Sequence, residues 1–195
     1  MFSDEKPIIG LIQIYSVDNQ LSQCIEGQAV TFIRYQFSSS SAESSVLVVA
    51  KRVSFNCTKL FINQLGPEAY FSHTTSLNNS LFYSSSQMDY PFQIICSIKL
   101  GLIYIVTKFG YLNVCDLKTG CSLIRNYHMI NDCILKANLD HQTETPLIIT
   151  CKGTILTLRF KFNKFLEHIQ NLSKKSIYKR ISRYLLSVDK QVTKL

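Results

Sequence analysis

The chain has 195 residues, of which 46% are hydrophobic and 17% are charged, and its formal net charge is +8. This length favours one domain with at most an appendage, and the apolar fraction excludes a globally disordered chain. No apolar run approaches the roughly 18 residues of a membrane-spanning helix, and the N-terminal sequence lacks the regions of a signal peptide, so neither is predicted.

The first predicted elements lie in residues 10–30, GLIQIYSVDNQLSQCIEGQAV. They are a strand, a tight polar turn and the start of another strand. Similar strand pairs recur along the chain, and their second strands begin at residues 10, 58, 110 and 153, which are 48, 52 and 43 residues apart. A repeat of about 40 to 50 residues with several short strands is typical of β-propeller blades.

Two of the repeats also share the sequence before that strand. IYIVTKFGYLNVCDL and LIITCKGTILTLRF each contain an apolar strand, a turn with lysine and glycine, and an alternating strand. The apolar runs at 102–106 and 146–150 predict inner strands that are buried on both faces. The fold predicted for residues 1–162 is therefore all-β and built of propeller blades.

Two segments interrupt the repeat. Residues 38–45, SSSSAESS, are predicted to be a flexible polar connector. Residues 66–91 are predicted to be a long loop that carries one short edge strand near residues 81–83.

The periodicity changes after residue 162, where helical spacing replaces alternation. This spacing predicts an α-helical hairpin, and hence a second region, 163–195. The apolar residues at helical spacing are Phe165, Ile169, Leu172, Ile177, Ile181, Leu185 and Val188.

The seven cysteines and four histidines form no recognisable site. The cysteine number is odd and no Cys-x-x-Cys occurs, which argues against a disulfide framework or a zinc site and favours buried cysteines that act as small hydrophobes. Asp132 and Cys133 are interpreted as structural residues of a strand-like stretch. Without a nucleophile elbow, a phosphate-binding loop or a metal-ligand spacing, the sequence predicts no enzyme, no catalytic residue, no cofactor and no metal.

Four stretches are more specific than a generic propeller repeat. They are QIYSVDNQLSQCIEGQAVTF (13–32), DYPFQI (89–94), IYIVTKFGYLNVCDLKTG (103–120) and KGTILTLRF (152–160). Through them the chain resembles the clathrin heavy chain family, in a truncated and divergent form. The similar region is the C-terminal half of the N-terminal seven-bladed propeller and the start of the helical linker. The resemblance implies that residues 1–162 are a partial β-propeller of about four WD40-like blades, the first incomplete, and that residues 163–195 begin the α-helical linker.

The resemblance implies a vesicle coat component without enzymatic activity, which takes part in intracellular protein transport and endocytosis. Its implied partners are adaptor proteins with short linear motifs and, in a full-length chain, other heavy chains and light chains. The implied location is cytoplasmic and peripheral, on coated pits and coated vesicles of the plasma membrane and trans-Golgi network. No specific nucleic acid is expected.

The resemblance also suggests a peptide groove between the fourth and fifth blades. Ile14 and Gln23 match an apolar residue and a glutamine of the family there, and Tyr90 replaces a phenylalanine and keeps an aromatic wall. Asn19 stands where the family has an arginine, and Thr75 where it has a lysine. These two replacements remove positive charge that would hold an acidic peptide.

Two alternatives remain open. The chain is a truncated fragment without function, or it is a basic module that binds anionic membrane or nucleic acid. The second alternative rests on residues 159–194, which contain ten lysines and arginines against Glu167 and Asp189. A half-propeller would also leave sheet edges open, so the chain by itself is expected to be poorly soluble or oligomeric.

Overall fold

A computed structural model describes residues 10–15, 21–37, 42–54, 57–65, 72–78, 89–160 and 188–194. Within these ranges the chain forms one two-stranded sheet and three four-stranded antiparallel sheets. The predicted all-β, propeller-like fold is thereby confirmed. In the part of the chain described, no helix is long and apolar enough to cross a membrane.

The strands of the described residues follow one another in chain order. They are β1 (Gly10–Tyr15), β2 (Leu21–Gly27), β3 (Ala29–Tyr35), β4 (Ser44–Ser54), β5 (Cys57–Leu65), β6 (Ser72–Asn78), β7 (Pro91–Ser97), β8 (Leu102–Thr107), β9 (Tyr111–Asp116), β10 (Ser122–His128), β11 (Ile134–Asp140), β12 (Thr145–Thr150), β13 (Thr154–Phe160) and β14 (Val188–Lys194).

Each four-stranded sheet is a simple antiparallel meander. We call β1–β2 the hairpin, and name β3–β6 sheet A, β7–β10 sheet B and β11–β14 sheet C. The first strands of successive sheets lie side by side, because β7 contacts both β3 and β11. This succession of meanders, with their first strands adjacent, is the arrangement of propeller blades. The four strand starts predicted by the repeat coincide with β1, β5, β9 and β13, to within a residue.

The core consists of two apolar layers, one between sheets A and B and one between sheets B and C. Strand β8 contributes to both, because Ile103 and Ile105 face sheet A whereas Tyr104 and Val106 face sheet C. All six residues of β8 are buried, which confirms the prediction for 102–106. Strand β12 differs from its prediction, because it is fully buried on one side only.

In β12, Ile148 is buried in the layer between sheets B and C, but Leu147 and Ile149 are half-buried on the other side. The prediction that residues 146–150 are buried on both faces is therefore wrong for the second face. Continuous apolar character shows that a strand tolerates burial on both sides, but it does not show that both sides have a neighbouring sheet.

A side chain just before the first strand of each four-stranded sheet binds the backbone at or near the turn between the second and third strands. In each case a side-chain oxygen accepts a backbone N–H, which belongs to the end of β4 in sheet A and to the turn itself in sheets B and C. The bonds run from Arg52 N to Gln28 Oε1 (2.6 Å), from Phe109 N to Asp89 Oδ1 (2.9 Å) and from Lys152 N to Asp132 Oδ2 (3.2 Å). Asp132 is thus structural, as interpreted, but it lies in the connection between β10 and β11 and not in a strand.

The two interrupted segments contain more strand than predicted. Ser44 and Ser45 already belong to β4, and Ser72–Asn78 form β6. The edge strand predicted near residues 81–83 lies outside the described residues. In the described part of β6, Leu77 is the one buried apolar residue, because an outer strand contacts the core along one side. Its polar composition therefore resembles that of a loop.

The end of the chain also departs from the prediction. Val188–Lys194 forms β14, which pairs with β13 from Phe160 opposite Val188 to Thr154 opposite Lys194. The helix predicted to include Val188 is wrong at that residue, because the outer edge of β13 offers backbone groups that an extended segment satisfies and a helix does not. The rest of the hairpin predicted for 163–195, and the boundary at residue 162, lie outside the described residues.

Candidate peptide-binding site

The hairpin brings two of the predicted groove residues together. Ile14 on β1 lies directly opposite Gln23 on β2 in the antiparallel register. The register shifts at the next residue, where Tyr15 pairs with Leu21. Asn19 belongs to the turn between the two strands, which lies outside the described residues.

The hairpin packs on the middle of sheet A. Strand β2 contacts β4, and a Cβ atom at Gly27, the last residue of β2, would overlap Cγ1 of Val49. Leu47 and Val49 of β4 are completely buried, although neither belongs to the layer between sheets A and B. They alternate with the residues of that layer, so they face the hairpin.

The same face of sheet A is exposed at β3, the strand next to β4. On β3, Phe32 lies opposite Leu47 and Val30 lies opposite Val49, so these side chains share a face. Phe32 is 59% exposed and Val30 is 44% exposed. The cover given by the hairpin therefore ends between β4 and β3. The exposed strip formed by Val30 and Phe32 continues to the exposed Arg34.

Two predicted groove residues lie elsewhere. Thr75 on β6 pairs with Leu60, whose side chain belongs to the layer between sheets A and B, so Thr75 faces away from the hairpin. Tyr90 precedes β7 in sheet B, where its N–H donates to Asp89 Oδ1 (2.9 Å) and its carbonyl accepts from Lys108 N (3.0 Å). Thr75 thus belongs to sheet A and Tyr90 to sheet B, whereas Ile14 and Gln23 belong to the hairpin.

The charged side chain of Lys108, whose N–H donates to the Tyr90 carbonyl, joins sheets B and C. The Lys108 ammonium donates to the carbonyl of Ile134 (2.8 Å) and lies 4.4 Å from the centre of the Phe92 ring. The Ile134 N–H donates to the Lys108 carbonyl (2.8 Å). A lysine engaged by a backbone carbonyl and an aromatic face between two sheets has a structural role.

A second link joins the same sheets at the opposite end of β8. Ser97 Oγ donates to Glu144 Oε2 (2.6 Å), and Tyr104 Oη donates to the Glu144 carbonyl (3.1 Å). Burial, and secondarily the Glu144 carboxylate, raises the pKa of Tyr104 above its usual range, so the hydroxyl remains a donor. Glu144 has a φ of 56°, a left-handed conformation that this contact helps to maintain.

Sequence reasoning missed the exposed strip on β3. In AVTFIRY (29–35) apolar residues occupy both sets of alternating positions, so alternation does not show which face is covered. Within the described ranges, no three His, Cys, Asp or Glu side chains are grouped to hold a metal ion. The strip on β3 offers apolar contact from Val30 and Phe32 beside the guanidinium group of Arg34.

Comparison with curated proteins gives consistent matches. The clathrin heavy chain of Dictyostelium discoideum is 29% identical over 168 residues, which are 84% of this chain and 10% of that protein. Clathrin heavy chain 2 of Homo sapiens is 26% identical over 175 residues, which are 87% of this chain and 10% of that protein. The chain is similar to one segment of clathrin heavy chains.

Clathrin heavy chain 1 of Arabidopsis thaliana is 33% identical over 131 residues, 64% of this chain and 8% of that protein. The chain thus spans about a tenth of the length of the clathrin heavy chains it matches. No family model matches it. Among solved structures, Kluyveromyces lactis Hsv2 has a TM-score of 0.43 and 12% identity, covering 88% of this chain and 61% of that one, which is too low a likeness to assign a fold.

Proposed function

We propose that the chain is a non-enzymatic, clathrin-heavy-chain-like segment of a vesicle coat that docks adaptor proteins. Similarity to clathrin heavy chains over 84% and 87% of the chain supports this role. In this role the chain serves intracellular vesicle-mediated protein transport and endocytosis. It associates peripherally, from the cytoplasm, with coated pits and coated vesicles of the plasma membrane and trans-Golgi network.

The observation that carries the docking proposal is the uncovered strip of sheet A beside the hairpin. Val30 and Phe32 of β3 expose apolar side chains, whereas Val49 and Leu47, which lie opposite them on β4, are buried. An extended peptide places alternate side chains on one face, and their spacing matches that of Val30 and Phe32 along β3. Arg34, the next residue on this face of β3, suits an acidic residue of that peptide.

Each docking event of this kind is weak, because two exposed apolar side chains contribute little surface. A coat presents many copies, and linked sites raise the overall affinity through effective concentration. The proposed partners are therefore adaptor proteins that carry several short linear motifs, together with other coat chains.

Fluorescence anisotropy with a labelled peptide tests the docking. The peptide carries two apolar residues at alternate positions and one acidic residue, and its scrambled version serves as the peptide control. Phe32→Ser is expected to abolish binding, whereas Ile98→Ser, at an apolar residue 50% exposed in sheet B, leaves it unchanged. Gln23→Ala is compared with Gln13→Ala. Gln13 lies in the next pair along the hairpin, opposite Cys24.

Absence of binding by the unmodified chain, or equal loss in Phe32→Ser and Ile98→Ser, contradicts the proposal. Circular dichroism melting of each variant shows whether a loss of binding reflects unfolding. Binding that disappears with rising salt and persists in Phe32→Ser instead favours a basic module for anionic surfaces.

A further inference from the structure

The cysteines are less buried than the sequence predicts. Of the six whose side chains the structure describes, Cys115 is buried, Cys57, Cys96, Cys121 and Cys133 are half-buried and Cys151 is exposed. The prediction of small buried hydrophobes is therefore wrong for Cys151. Cys151 lies across from Cys133, to which its N–H donates.

These two cysteines lie opposite each other, one residue beyond the end of the β11–β12 ladder. Ile134 pairs with Thr150, and one step further the N–H of Cys151 donates to the carbonyl of Cys133 (2.9 Å). Opposed residues of antiparallel strands point their side chains to the same face. The Cα atoms of a hydrogen-bonded pair are about 5.5 Å apart, within the range of about 4.4 to 6.8 Å that a disulfide spans.

The side chain of Asp132 holds both backbones in place. Its carboxylate accepts from Cys133 N (2.8 Å) through Oδ1 and from Lys152 N (3.2 Å) through Oδ2. One carboxylate thus holds the backbone of Cys133 and that of Lys152, the residue after Cys151. The two thiols also interact electrostatically, because burial and then the Cys151 thiol raise the pKa of Cys133.

We propose that Cys133 and Cys151 form a reversible intramolecular disulfide when the protein meets hydrogen peroxide. The exposed Cys151 loses its thiol proton, and its thiolate attacks one peroxide oxygen. The O–O bond breaks and Cys151 becomes a sulfenic acid. The released hydroxide combines with the proton that Cys151 lost and forms water. The Cys133 sulfur then attacks the Cys151 sulfur, and the S–O bond breaks. The hydroxide that leaves takes the Cys133 proton, so two thiols are oxidised and one peroxide is reduced to two waters.

The bond would connect the β10–β11 connection to the β12–β13 turn. Both belong to the end of sheet C that Lys108 joins to sheet B.

Tryptic mapping identifies the bond without ambiguity. Cleavage after Arg125, Lys136 and Lys152 places Cys133 in peptide 126–136 and Cys151 in peptide 137–152, each with one cysteine. The folded full chain is treated with a stoichiometric amount of peroxide, alkylated, digested and analysed by mass spectrometry. We expect a linked pair of these peptides that disappears on mild reduction.

Cys151→Ser and Cys133→Ser are each expected to abolish the link, and Cys121→Ser, at another half-buried cysteine, leaves it unchanged. A link between peptides 109–118 and 119–125, which would join Cys115 to Cys121, overturns the proposal if it forms in preference. Alkylation of Cys133 and Cys151 in equal yield before and after peroxide overturns it as well. The same treatment in concentrated urea should erase the preference, because the ladder that opposes the two thiols is then lost.

Discussion

Replacement of Gly110 by alanine tests the junction between the β8–β9 turn and the strand connection that follows β10. Gly110 has a φ of 87°, in the left-handed region, and a Cβ atom there would overlap the carbonyl oxygen of Ile130. The Gly110 carbonyl also accepts from Met129 N (2.8 Å), so the two backbones cannot separate without loss of that bond. Alanine therefore meets a conformational penalty and a steric one.

The expected size follows from these two contributions. A left-handed alanine costs about 1–2 kcal/mol, and forcing a methyl group into a packed site costs about 1–3 kcal/mol. Gly110→Ala should thus lower the free energy of unfolding by about 2–5 kcal/mol, a large part of the total of about 5–15 kcal/mol typical of folded proteins.

Gly101→Ala is the matched control. Gly101 has a similar φ of 64°, but the nearest atom to its Cβ position is Tyr35 Oη at 3.6 Å, an ordinary contact. Its replacement should cost only the conformational contribution of about 1–2 kcal/mol. Urea unfolding followed by circular dichroism measures both variants. Equal destabilisation by Gly110→Ala and Gly101→Ala would refute the steric reasoning.

Three further outcomes are expected. Tyr104→Phe removes the donor to the Glu144 carbonyl and should lower the free energy of unfolding by about 1 kcal/mol in urea titrations, whereas Tyr127→Phe, at a half-buried tyrosine, should have little effect. Burial raises the pKa of Asp132, but bonds from Thr150, Lys152 and Cys133 outweigh it and lower the net pKa. Asp132 therefore stabilises the fold above the ordinary aspartate pKa of about 3.9 and loses this effect as pH falls through its lower folded value. Asp132→Asn should consequently differ most from the unmodified protein at neutral pH and converge with it in acid, and a difference independent of pH would contradict this. Phe32→Lys should reduce the self-associated fraction in size-exclusion chromatography, and an unchanged elution profile would show that the β3 strip does not mediate association.

The sequence by itself predicted the central strands. The recurrence at residues 10, 58, 110 and 153 located β1, β5, β9 and β13, and the run at 102–106 identified a strand buried on both faces. Such strands carry their information locally, since alternation and continuous apolar runs follow from the burial of each residue in turn. Ile14 and Gln23, which only the family resemblance singled out, lie opposite each other in the hairpin.

The tertiary structure alone decided the edges and the contacts between sheets. Strands β6 and β14 are outer strands, and β6 looks like a loop because an edge strand needs few buried side chains. The face assigned to Thr75, the exposure of Phe32 and the opposition of Cys133 to Cys151 depend on which strand lies alongside. A one-dimensional pattern records how apolar each position is, whereas these features depend on which surface covers it, and that is determined by residues distant in the chain.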